Sequence, residues 1–127
     1  MYIRNNNDSY LGISHSYDYG KTWTEFKQTN IPNPNTKVTL VKANHLILLI
    51  NNFNNVMGYK NRTHLQIWVS KDGENFYKKI NIEEDNKLFF YPHAFFDNEE
   101  QTLYVAYENS KQFWLKKIPF EDIVGNE

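Results

Sequence analysis

Two short stretches of the chain carry the same set of polar groups in nearly the same order. Residues 16–23 read Ser16-Tyr17-Asp18-Tyr19-Gly20-Lys21-Thr22-Trp23, and residues 70–76 read Ser70-Lys71-Asp72-Gly73-Glu74-Asn75-Phe76, with Gly one place earlier and Phe in place of Trp. A calcium loop would use such an Asp, but a calcium ion takes roughly six to eight oxygen ligands and each stretch centres on a single Asp. The remaining chemistry is structural. An Asp just after a Ser accepts hydrogen bonds from the N–H groups of a turn, Gly takes the positive φ the turn needs, and the ring packs between strands. Ser16, Asp18, Gly20, Trp23, Ser70, Asp72, Gly73 and Phe76 are therefore read as the parts of two hairpin clasps.

Other chemistry is scarce. There is no Cys, which removes disulfides, thiolate metal sites and a Cys nucleophile together. His15, His45 and His64 show neither H-x-x-x-H nor H-E-x-x-H spacing, so no metal and no cofactor is expected. Asn51, Asn52, Asn54 and Asn55 form an amide-rich stretch that suits either ligand contacts at a strand end or an ordinary turn. Asn61-Arg62-Thr63 and Asn7-Asp8-Ser9 fit the N-glycosylation pattern, which has weight only in a secreted chain.

The elements that must position these residues are strands. In 127 residues the aromatic fraction is 17%, high for so polar a chain, and abundant Asn with little Ala favours strands and turns. No window sustains apolar residues at i, i+3, i+4 and i+7. Short alternating runs occur instead at 11–15, 65–69 and 103–107, with further strands expected at 23–27, 37–42, 45–51, 76–80, 94–96 and 112–118. The run 45–51 is apolar on both faces, as in a strand covered from both sides, and 120–124 suits one helical turn. The serines of the two clasps lie 54 positions apart. A repeat of roughly 40–50 residues is the scale of a four-stranded propeller blade. The expected fold class is thus all-β, a partial β-propeller of four-stranded antiparallel blades in one domain over 1–127: half a blade in 1–30, a full blade in 37–82, and three strands of another in 88–120.

The charges, 14 Lys+Arg against 15 Asp+Glu, are balanced and unclustered, so neither nucleic acid nor an anionic membrane is an expected partner. The longest apolar run, 46–50, is far short of a bilayer span, and the first residues lack the apolar core of a signal peptide. A cytoplasmic location is the default expectation.

With the two clasps placed, the chain resembles the sialidase (neuraminidase) superfamily of Asp-box, or BNR-repeat, six-bladed β-propellers. The likeness is collinear over almost the whole chain. Arg4-Asn5 precedes the first box. The stretch Ile31-Pro32-Asn33-Pro34-Asn35-Thr36 and the strand end Leu48-Leu49-Ile50-Asn51 follow it. Arg62-Thr63-His64-Leu65-Gln66-Ile67 leads into the second box. Phe90-Tyr91-Pro92-His93-Ala94 and Leu103-Tyr104-Val105-Ala106-Tyr107-Glu108 are similar to the family's Tyr-bearing strand and its hairpin partner. The part covered is the C-terminal half of that fold.

Members of that superfamily hold the substrate carboxylate with three Arg, use a Tyr nucleophile activated by a Glu, and protonate the leaving group with an Asp. Carried over residue by residue, the resemblance implies Arg4 and Arg62 as the second and third Arg and Tyr91 as the nucleophile. The first Arg, the acid and the activating Glu would precede Met1 in a full-length relative. A sialoside carries a carboxylate on its reacting carbon, which repels a carboxylate nucleophile and accepts a neutral Tyr. Guanidinium forks match that carboxylate bidentately. Arg occurs twice against twelve Lys, which sets both positions apart. Each candidate also has a plainer reading. Arg62 lies in a polar loop, Arg4 lies where chain ends fray, Tyr91 is one aromatic among many, and Pro92 biases it to an extended conformation at a strand start. His93 suits a glycan hydroxyl or a satisfied structural role, and Asn51 suits a sugar contact or a turn.

The resemblance implies the C-terminal part of a sialidase-like glycoside hydrolase acting on or binding sialic acid or another acidic glycan, incomplete and inactive alone. The alternative is a non-catalytic glycan-binding or protein-interaction propeller fragment. A partial propeller exposes blade faces and strand edges, so self-association or association with further blades is expected.

Overall fold

The computed structural model describes residues 1–84 and 86–125. In it the strands are β1 (Tyr2–Ile3), β2 (Tyr10–Ile13), β3 (Lys27–Pro32), β4 (Thr39–Ala43), β5 (Leu46–Asn52), β6 (Leu65–Ser70), β7 (Phe76–Asn81), β8 (Phe90–Asp97), β9 (Thr102–Glu108) and β10 (Phe113–Pro119). A 3₁₀ turn at Tyr59–Asn61 and a short helix α1 (Phe120–Val124) complete the described elements. Every strand pairing is antiparallel. They make three sheets, β1-β2-β3, β4-β5-β6-β7 and β10-β9-β8, and no closed barrel. The all-β expectation holds. The central sheet has four strands and each flanking sheet three, where half a unit was expected at the start of the chain and three strands at its end.

The central sheet is covered on both faces because β5 is apolar on both. Side chains alternate across a strand, so Leu49 points one way and Leu48 and Ile50 the other. Leu49 joins Leu11 and Ile31 of the first sheet, with Tyr2, Trp68 and Phe76 packed against them. Leu46, Leu48 and Ile50 join Ile67 and Val69 of β6 and Phe96, Leu103 and Val105 of the third sheet. Full burial of one such aliphatic side chain is worth about 1.5–3 kcal/mol. β5 is the strand through which both cores are connected.

Two expected strands are displaced. The segment after the first clasp enters its sheet at Lys27 and runs to Pro32, whereas pairing over 23–27 was expected. Phe26 explains part of the delay. Its ring lies over Gly12, where an added Cβ would stand 1.8 Å from Phe26 Cε2, so residue 26 lays its side chain on the face of β2 just before the pairing begins at Lys27. The strand expected at 94–96 begins instead at Phe90 and carries a bulge between Phe90 and His93. The outward face of the third sheet bears Phe95, Phe113 and Leu115, at 62%, 83% and 63% exposure. Among the described residues no helix is long and apolar enough to cross a membrane.

Candidate anion-binding site

The two clasps have the geometry of turn staples. Asp18 accepts from Thr22 N (2.8 Å) and Ser16 Oγ (2.9 Å), while Ser16 Oγ accepts from Gly20 N (2.7 Å). Asp72 accepts from Glu74 N (2.9 Å), Asn75 N (2.8 Å) and Ser70 Oγ (2.9 Å), while Ser70 Oγ accepts from Gly73 N (2.8 Å). Gly20 and Gly73 have φ of 87° and 86°, where a side chain would be strained. Bonds from Thr22 hold the Asp18 carboxyl below its usual range, and bonds from Asn75 and Glu74 do the same for Asp72. The two rings differ. Phe76 packs against Tyr2 and Trp68 between sheets. Trp23, expected to pack between strands, is 48% exposed and closes its own turn through Nε1 to Gly20 O (3.1 Å). Among the described residues no cluster of acids and imidazoles suits a metal ion.

The clasps join β2 to β3 and β6 to β7, at the strand ends away from Arg4, Arg62 and Tyr91. Along β6, six residues long, that separation is about 20 Å. At the Arg end the chain turns through Asn33-Pro34-Asn35-Thr36. Asn33 Oδ1 accepts from Thr36 N (2.9 Å), and Asn33 Nδ2 donates to Thr36 O (3.0 Å) and to Asn51 Oδ1 (2.6 Å). Asn35, at φ 57°, takes the left-handed conformation that Asn tolerates. Its two oxygens then meet two different cations: Arg4 Nε donates to Asn35 Oδ1 (2.6 Å) and Arg62 Nη2 donates to Asn35 O (3.2 Å).

Arg62 follows the 3₁₀ turn, its N–H bonded to Tyr59 O (3.2 Å), and its carbonyl accepts from Phe89 N (3.3 Å). The guanidinium carbon stands 5.2 Å from the ring centroid of Tyr91, 5.4 Å from that of Tyr59 and 5.5 Å from that of Phe90. Such distances place it within cation–π range of three rings. Its Nε is buried with no hydrogen-bond partner among the described residues. Lys37 Nζ reaches Pro92 O (3.2 Å), bringing another cation to the strand that carries Tyr91.

Tyr91 departs from the conformation expected before a proline. Its φ is 54°, left-handed rather than extended, because it sits in the β8 bulge. A bulge inserts an unpaired residue and re-aims its side chain. The phenol ring is 38% exposed. The Arg4 guanidinium, the largest influence, together with that of Arg62 holds the phenol below its ordinary ionisation range, against burial, which opposes them and outweighs any single contribution from Arg62. No carboxylate among the described residues contributes to that shift. A cavity of about 420 Å³ opens beside Arg4, Asn6 and Asn35.

Arg4, Arg62 and Tyr91 are thus brought together. His93, two residues on, is exposed and pairs across the sheet with Ala106; it makes no hydrogen bond among the described residues and is not tied to the cluster. Asn51 is a correction. It is fully buried, and its carboxamide donates to Pro32 O (2.9 Å) and accepts from Asn33, which makes it a support beneath the 33–36 turn rather than a sugar contact. Asn52, also fully buried, donates to Thr63 O (3.1 Å) and Phe89 O (2.6 Å), joining the segments that carry Arg62 and Tyr91. Asn35, Tyr59 and Phe90 were given no role from sequence. The one legible signal was the Asn-rich turn at 33–35, whose residue type accommodates left-handed backbone.

A family model described as a BNR repeat-like domain matches residues 1–105. No curated protein and no solved structure gives a match.

Proposed function

The chain belongs to the BNR repeat-like domain family, and on that premise we propose that it forms the acidic-glycan-binding part of a sialidase-like glycoside hydrolase of exo-α-sialidase type, built as part of a six-bladed propeller. The observation that carries this reading is the meeting of two guanidinium groups and one phenol: Arg4 and Arg62 both bond to Asn35, and the Arg62 guanidinium stands 5.2 Å from the Tyr91 ring centroid. A sugar carboxylate is bound by terminal N–H groups of the two guanidinium forks. Carboxylate and phenol then lie side by side, as they must if a phenol oxygen is to bond to the carbon that bears the carboxylate.

In that step the Tyr91 oxygen bonds to the anomeric carbon as the glycosidic C–O bond breaks, and the leaving oxygen takes up a proton. The two cations favour the phenolate. A base for the phenol proton and an acid for the leaving oxygen are absent from the cluster among the described residues. The chain by itself therefore binds acidic sugars without turning over an ordinary sialoside.

Titration with N-acetylneuraminic acid and with an uncharged amino sugar tests the reading. Millimolar affinity for the acid, weakened at least tenfold in Arg62→Met, is expected. Equal affinity for the uncharged sugar, or none for either, refutes it. The absence of an acid beside Tyr91 also suits a second reading, a non-catalytic glycan-binding propeller. A sialyl fluoride separates the two, because fluoride leaves without a proton. Adduct on Tyr91 by intact mass supports the hydrolase; noncovalent binding alone supports the second reading.

A further inference from the structure

Two guanidinium groups in one site repel each other, and proteins ordinarily separate such a pair with a carboxylate. Here the separating group is neutral. Asn35 accepts from Arg4 Nε through its side-chain oxygen and from Arg62 Nη2 through its main-chain oxygen. The left-handed φ of 57° lets one residue serve both. The turn cannot drift: Asn33 clamps Thr36 on either side of it, and Asn51 pins Asn33 from β5. Neither Arg has a carboxylate partner among the described residues, and both guanidinium groups act on the Tyr91 phenol.

We propose that Asn35 is the positioning residue of this site, holding Arg4 and Arg62 at one spacing without neutralising either, so that a carboxylate sugar meets a pre-set guanidinium pair. The inference rests on the acidic-glycan reading for its ligand, but not for its geometry. An acid at position 35 would ion-pair with Arg4 through the side-chain oxygen that now accepts from it and would add a negative charge beside Arg62. A glycine there keeps the left-handed backbone and the carbonyl that meets Arg62, and deletes the contact to Arg4 alone.

The test compares wild type, Asn35→Gly and Asn35→Asp by two readouts. One is ionisation of the Tyr91 phenol, followed by NMR of ¹³Cζ-labelled tyrosine and assigned with Tyr91→Phe. The other is affinity for N-acetylneuraminic acid. Asn35→Gly is expected to move the Tyr91 ionisation up towards its ordinary value and to weaken binding about tenfold, with the thermal midpoint little changed. Asn35→Asp is expected to weaken binding at least tenfold at neutral pH while raising the Tyr91 ionisation. A merely structural turn residue would not move the phenol. If wild type binds and Arg62→Met abolishes binding, yet Asn35→Gly alters neither readout, the positioning role is overturned and the glycan reading stands. If no chain binds the acid but the phenol follows position 35, the positioning role stands and the glycan reading falls.

Discussion

Asn51 and Asn52, adjacent at the end of β5, send their carboxamides to opposite sides of the central sheet: Asn51 to Pro32 and Asn33, Asn52 to Thr63 and Phe89. Strand alternation makes this inevitable once both are buried. The result is that one strand end supports both halves of the cationic cluster, Asn51 under the turn that carries Asn35 and Asn52 between the segments that carry Arg62 and Tyr91.

Asn52→Ala removes two buried bonds and leaves two carbonyls short of a donor. A loss of about 2 kcal/mol is expected, measured by denaturant unfolding. Ligand affinity should fall as well, since Thr63 and Phe89 lose their common anchor. An unchanged midpoint with unchanged affinity would show that Asn52 anchors nothing.

The phenol of Tyr91 should ionise below the ordinary tyrosine value of about 10, because the nearby cations favour the charged phenolate. Arg4→Met and Arg62→Met should each shift the titration upward, with Arg4→Met producing the greater effect. Tyrosine ¹³C NMR against pH reads both. A Tyr91 that titrates at the usual value in wild type would contradict the proximity of its phenol to the two guanidinium groups.

Asp18 and Asp72 have folded-state ionisation below that of an unfolded Asp, about 3.9. A depressed acid contributes stability that is complete above the unfolded value and is lost as pH falls through the folded one. The thermal midpoint should be flat from neutral pH to about 5 and decline below about 4. Asp72→Asn should lower the plateau and flatten the decline, read by circular dichroism melts across pH.

Leu49 is fully buried between the first and central sheets. Leu49→Ala should cost about 3 kcal/mol through lost transfer energy and the cavity left behind. Leu115→Lys, on the open face of the third sheet, should change stability by less than about 0.5 kcal/mol. Equal costs at the two positions would mean that the outward face is packed in solution.

Much of the fold was legible because its signals are local. The doubly apolar run of β5 announced a strand covered on both faces, and the spacing of Ser, Asp and Gly fixed two turns whose bonds lie within five residues. The terminal helix lies at 120–124, where one helical turn was expected. What escaped depends on distant partners. The late entry of β3 follows from Phe26 lying over Gly12, a contact with the neighbouring strand. The left-handed Tyr91 follows from a bulge set by the register of β8 on β9, which the pre-proline rule does not reach. Asn51 was read by type, as a polar residue at a strand end, whereas its burial is decided by the turn of the neighbouring sheet. Asn35 has no signature of its own beyond a tolerance for its backbone angle.

Since β5 lends one face to each hydrophobic cluster, neither flanking sheet keeps its apolar side covered if the middle one melts. The three layers are thereby joined into a single cooperative transition: heat and denaturant should dismantle them together, and slow amide exchange should extend across all of them to a common limit set by the Leu46–Asn52 segment.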